Sequence, residues 1–168
     1  MSKLKIGIVM PLAEQRGGAE LMLMHLLRGV RSIPLPATYE VAFLEDGPMQ
    51  KEVSALGIPT RVFKAGHLRQ PVRYIRTVAA LARWMRTERF DAVLSWMAKA
   101  HLYAGPAVLL TKIPACWFQH GLPERHWMDR LVSRIPAKGI FACSQAGGPR
   151  SFGSPAGIPF VSYIRPSI

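Results

Sequence analysis

The sequence predicts an α/β fold: a doubly wound, Rossmann-like parallel sheet of about six or seven strands with helices on both faces. Three observations carry this expectation. Short apolar or β-branched runs alternate with longer helix-like segments, the order that builds a parallel sheet covered by helices. Several of the short runs are hydrophobic at nearly every position, as strands buried on both faces must be. Breakers fall at the junctions, with Pro34, Pro36, Pro59, Pro71, Pro114 and Pro136 between the runs.

The first strand is expected at Lys5–Met10, a near-continuously apolar run, and a helix at Gly18–Val30 follows a glycine pair. Glu40–Leu44 reads as the second strand, Gln50–Leu56 as a short helix, and Arg61–Phe63 as a brief third strand after Pro59. Val72–Thr87 is long and periodic enough to be a helix, and Asp91–Ser95 is the fourth strand. Helix Ala98–Leu110, strand Ala115–Gln119, helix His126–Arg134 and strand Gly139–Cys143 continue the alternation. The stretch 147–157 carries too many glycines and prolines for a long helix and predicts a short helix with a loop. Pro159–Tyr163 reads as one more strand, and the last four residues as the start of a connection.

At 168 residues the chain fits one domain, 1–168, and 49% hydrophobic against 19% charged residues excludes disorder as its main state. Lys plus Arg is 22 and Asp plus Glu 10, a net charge of +12, which points to phosphate, nucleic acid, an anionic membrane or an acidic ligand. Cys116 and Cys143 cannot form a disulfide framework, and they read as core residues. The longest apolar stretches, such as 104–110, fall short of a membrane span. The amino terminus superficially imitates a short signal peptide, but Glu14 to Arg16 and the glycine pair suit a strand and loop, so a cytoplasmic location is expected.

Two places carry candidate chemistry. Gly17 and Gly18 follow the first strand and open a helix, where bare backbone N–H groups can receive a phosphate. This is neither Gly-x-Gly-x-x-Gly nor a P-loop, and the same glycines could simply make the turn. Gln119-His120-Gly121 comes directly after the fifth strand, at the carboxyl edge where open α/β sheets bind ligands. His120 can donate to a hydroxyl or phosphate there, or serve as a cap or core residue. His25, His67, His101 and His126 read as structural or solvated, and no metal site is expected.

From Arg61 to Arg89 there are eight basic residues and one acid. Arg69, Arg73, Arg76 and Arg83 fall on one helical stripe, with Val72, Ile75, Ala79 and Ala82 as a neighbouring apolar stripe. Tyr74, Leu81 and Trp84 lie outside the apolar stripe and are expected to be exposed. A basic helix with aromatics suits an anionic membrane surface, and a solvated face with Trp84 in the core is the alternative.

Five short motifs in order resemble the amino-terminal domain of family-four retaining glycosyltransferases of GT-B architecture. They are Gly17-Gly18-Ala19-Glu20 after the first strand, Leu44-Glu-Asp-Gly-Pro-Met49 with Leu56-Gly-Ile-Pro59, Phe90-Asp-Ala-Val-Leu-Ser95, Trp117-Phe-Gln-His-Gly121, and Phe141-Ala-Cys-Ser-Gln145. The resemblance implies an acceptor-binding half of an enzyme that moves a sugar from a nucleotide-diphosphate sugar to a glycan or lipid-linked acceptor, in cell-envelope polysaccharide assembly. It implies that Gly17, Gly18 and Gly121 approach donor or acceptor, that His120 contacts the transferred sugar, and that no other cofactor is required. The glutamate pair and the diphosphate cations of the donor domain have no counterpart in this sequence. The chain is therefore expected to be catalytically incomplete without a carboxy-terminal donor domain, and a peripheral membrane location is expected with a lipid-linked acceptor. Two rivals stand beside this reading: a non-catalytic subunit that pairs with a separate donor domain, and a basic module for nucleic acid or anions, for which no motif is found.

Overall fold

The computed structural model describes residues 3–15, 17–32, 36–120, 131–142 and 160–162. Its elements alternate as β1 (Leu4–Met10), α1 (Gly18–Ser32), β2 (Ala37–Phe43), α2 (Pro48–Ala55), β3 (Thr60–Val62), α3 (Pro71–Glu88), β4 (Ala92–Trp96), α4 (Ala98–Thr111), β5 (Ala115–Gln119), β6 (Gly139–Ala142) and β7 (Phe160–Ser162). The strands form one parallel sheet ordered β3-β2-β1-β4-β5-β6-β7. This is the doubly wound α/β fold that the alternation predicts.

Side chains alternate across each strand, so a continuously apolar strand feeds two cores. On one face Ile8, Met10, Val41 and Phe43 pack with Leu23, Met24 and Leu27 of α1 and with Met49 and Val53 of α2. On the other, Val9, Ala42 and Val93 pack with Val78, Leu81 and Met85 of α3 and Tyr103 and Ala107 of α4. Burying each of these aliphatic side chains contributes about 1.5–3 kcal/mol, which is why an apolar run becomes an interior strand.

Two elements start more than one residue from where the sequence reading puts them. Strand β2 starts at Ala37, because Ala37 to Tyr39 pair in register with Leu4 to Ile6. Helix α2 starts at Pro48: proline opens a helix well, since the first turn leaves its amides unpaired anyway. Most of the helix expected at His126–Arg134 lies outside the described residues, as do Gly121, Cys143 and the stretch 147–157.

Helix α3 corrects a face. Val72 and Ile75 are 63% and 64% exposed and Ala79 is exposed, whereas Leu81 and Trp84 are buried. Trp84 is therefore not a membrane-surface residue. The polar handle of its indole decides the matter: Nε1–H donates to the buried Glu40 carboxylate at 2.8 Å, and the ring meets Phe90 edge-on at 4.6 Å. Tyr74 is half-buried, and its hydroxyl donates to the Leu102 carbonyl. Arg69, Arg73, Arg76 and Arg83 are exposed as expected.

Candidate functional site

The sheet order places a topological switch between β1 and β4, where successive units wind off in opposite directions. Ligand crevices of open α/β sheets form there, outside the carboxyl ends of the strands. Three chain segments reach that edge: the turn from β1 into α1, the junction of β4 with α4, and the end of β5.

Gly17 and Gly18 open α1. Gly18 lies outside the left-handed region, and a β-carbon on it would meet nothing within 4 Å. Glycine is thus required at residue 18 neither by backbone torsion nor by internal packing, and its bare backbone leaves the start of α1 open. Glu20, two residues on, is buried at 2% exposure in the first helical turn, where a negative side chain interacts favourably with the helix dipole.

His120 lies directly after β5, half-buried, and burial lowers its pKa to about 4. The ring is therefore neutral at pH 7, with one nitrogen that donates and one that accepts. It stacks on Phe118 at 4.5 Å and against Trp96 at 4.7 Å, while Trp96 and Phe118 stack at 4.7 Å. Trp96, the last residue of β4 and 1% exposed, also donates its indole N–H to the Ala19 carbonyl at 2.9 Å. One indole thus touches both the α1 turn and His120.

The next residue, Met97, has φ 78° and ψ 158°, a region that only glycine enters without strain. Its amide donates to the Phe118 carbonyl at 3.0 Å, which ties the end of β4 to the end of β5. Sequence reasoning singled out Gly17, Gly18 and His120 but missed Trp96 and Met97. The available signal was a tryptophan at the last position of a strand, immediately before a helix.

On the opposite, α3/α4 face of the sheet, Ser95 Oγ lies 3.0 Å from Nδ1 of the fully buried His101, and His101 stacks flat on Trp117. Burial lowers the His101 pKa to about 4, so this histidine belongs to the core. At the amino edge of the sheet, Lys5 and Arg61 hold Glu88 at 2.7 and 2.9 Å, and Arg61 Nε reaches Glu40 at 3.4 Å. These residues line a groove of about 850 Å³, far along the strands from His120. Its charges compensate one another, and the hydrogen bond from Lys5 together with its charge holds Glu88 below the usual carboxylate range. Among the described residues no cluster of His, Cys, Asp or Glu could hold a metal ion.

The seven-stranded parallel sheet, with a glycine-opened helix and a histidine at its switch point, defines a Rossmann-like α/β domain. The family profile of Glycosyltransferase Family 4 matches residues 16–147, and the chain belongs to that family. No curated protein matches the chain in sequence. Among solved structures, the chain is similar to Anabaena HepE in complex with UDP and glucose, with 22% identity, a TM-score of 0.69, and coverage of 95% of this chain and 44% of that one. It is similar to the lipopolysaccharide outer core galactosyltransferase WaaB at 18% identity and a TM-score of 0.64, covering 86% of this chain and 40% of that one. A UDP-N-acetylglucosamine 2-epimerase shares the fold at 17% identity and a TM-score of 0.69, covering 95% of this chain and 48% of that one. The chain thus spans less than half the length of each of these structures.

Proposed function

We propose that this chain is the acceptor-side half of a retaining glycosyltransferase that moves a sugar from a nucleoside-diphosphate sugar to a glycan or lipid-linked acceptor of the cell envelope. The observation that supports it best is the meeting of the open α1 turn with His120 at the switch point, with one indole between them. His120 is neutral there and donates a hydrogen bond to a sugar hydroxyl, while the backbone at Gly17 and Gly18 admits a diphosphate or acceptor group closely. Retaining transfer also requires the leaving diphosphate's charge to be stabilised by preorganised cations. In this reading those cations come from a donor domain across the cleft, and this half alone is an incomplete catalyst. HepE and WaaB support a sugar nucleotide and an envelope acceptor as the chemistry of the whole enzyme.

The test is calorimetric titration of the purified chain with uridine- and guanosine-diphosphate sugars, beside a transfer assay. Weak nucleotide-sugar binding without turnover is expected, and His120→Ala weakens it further. Robust turnover by the chain alone overturns the acceptor-half reading. Epimerisation of UDP-N-acetylglucosamine would move the assignment to the other activity known on this fold.

A further inference from the structure

We infer that Trp96 is the positioning residue of this site: its indole fixes the α1 glycine turn and the His120 ring relative to one another across the switch-point crevice. The inference rests on the reading of that crevice as the functional site, but its test needs no sugar.

Three observations carry it. The indole is 1% exposed, so it contacts no ligand itself and acts through its neighbours. Its two ends do different things: the N–H donates to Ala19 O at 2.9 Å, and the ring face meets His120 and Phe118, each at 4.7 Å. The strained Met97 follows it directly, with its amide held by the Phe118 carbonyl, so the β4–α4 junction that aims the indole is fixed on both sides. Strain of this kind persists only where surrounding contacts over-determine the backbone. The indole also packs in the core shared by β1, β2, α1 and α2, but two of its directional contacts belong to the candidate site. The Ala19 carbonyl belongs to the turn that Gly17 and Gly18 open, and the stacked ring is His120 itself.

Two variants separate the two ends. Trp96→Phe keeps an aromatic face for His120 and removes the donor to Ala19, while Trp96→Leu removes both. Imidazole titration by NMR and amide hydrogen exchange, measured on the full chain, read them independently. In Trp96→Phe the His120 midpoint stays near its unvaried value of about 4, while exchange at the amides of Leu21 to Leu23 quickens about fivefold, the loss of one hydrogen bond. In Trp96→Leu the α1 exchange quickens likewise, and the His120 midpoint rises toward the solvent value of about 6.5. Exchange in β2 and α2 stays unchanged relative to global stability in Trp96→Phe, which a mere loss of core packing would not produce.

Unchanged exchange at Leu21 to Leu23 in Trp96→Phe overturns the link to the turn. An unchanged His120 midpoint in a folded Trp96→Leu overturns the link to the ring. Should Trp96→Leu fail to fold, Trp96→Met takes its place with the same expected shift. A positive result here beside failed nucleotide-sugar binding would remove the sugar-transfer reading and leave the positioning role standing.

Discussion

The indole nitrogen of Trp84 donates to the carboxylate of Glu40 at 2.8 Å, joining α3 to the middle of β2 across 44 residues of sequence. Glu40 is 5% exposed, and Arg61 and Lys5 approach the same carboxylate at 3.4 and 3.8 Å. A buried carboxylate is tolerated because these partners compensate its charge. Trp84→Phe keeps the ring contacts with Phe63 and Phe90 and removes one donor to a charged acceptor, for a cost of about 1–3 kcal/mol. Trp84→Ala also leaves a large cavity and costs about 3–5 kcal/mol. Urea unfolding midpoints check both values. A loss below about 0.5 kcal/mol in Trp84→Ala, as for a surface site, would contradict the burial.

Gly18 and Gly105 should answer alanine substitution in opposite ways. A β-carbon on Gly18 meets nothing, so Gly18→Ala at the start of α1 is neutral or stabilises by up to about 1 kcal/mol through the unfolded chain. It nonetheless narrows the backbone approach at the helix start, and nucleotide-sugar affinity should fall. A β-carbon on Gly105 collides with the Ile135 side chain, and Gly105→Ala should cost about 1–3 kcal/mol. Thermal melts and the same calorimetric titration separate the two. Unaltered affinity in Gly18→Ala would mean that the open backbone serves no ligand.

Acid should weaken the fold first through its buried histidines. His101 has a folded pKa of about 4 against about 6.5 unfolded, so between those values the unfolded state binds more protons and stability rises with pH. On acidification from pH 6.5 to 4 this one group removes about 3 kcal/mol. His120 acts in the same direction. Glu88 is lowered, chiefly by its hydrogen bond from Lys5, so its contribution is present above the ordinary glutamate range and is lost as pH falls through its own folded pKa. The window from pH 6.5 to 5 therefore isolates the histidines. Urea unfolding across it should give a slope that is shallower in His101→Gln by up to about 1.4 kcal/mol per pH unit. An identical slope would place His101 in contact with water.

The strands were legible because a strand buried on both faces needs apolar residues at nearly every position, and the runs 6–10, 92–94 and 115–118 satisfy that. Helix α3 was harder. Val72, Ile75, Ala79 and Ala82 make a plausible apolar stripe, but burial follows the larger area of Leu81, Trp84 and Met85, about 145° away around the helix. Gly17, Gly18 and His120 were visible as candidates because each sits directly at a strand or helix end. Trp96 and Met97 were not: a stack, a hydrogen bond to Ala19 and a strained torsion are tertiary facts, and no spacing in the sequence encodes them.

The outward face of α3 leads to the final prediction. Val72 and Ile75 are exposed beside the exposed Arg69, Arg73, Arg76 and Arg83, so the surface offered is basic and apolar without Trp84. Arg73 is partly committed, since its Nε donates to the Lys64 carbonyl, but its charge remains at the surface. At about 1 kcal/mol per basic residue near an anionic leaflet, the four arginines should give reversible attachment that salt weakens as the screening length shortens. Val72 and Ile75 add an apolar contribution that salt does not screen. Sedimentation with anionic vesicles should therefore be strong at low salt and weak with neutral vesicles. Arg73→Glu, Arg76→Glu and Arg83→Glu together should abolish it, whereas Val72→Ser with Ile75→Ser should remove the part that survives high salt. Equal binding to neutral vesicles, or no effect of the triple substitution, would leave this face as a solvated one and favour a soluble acceptor.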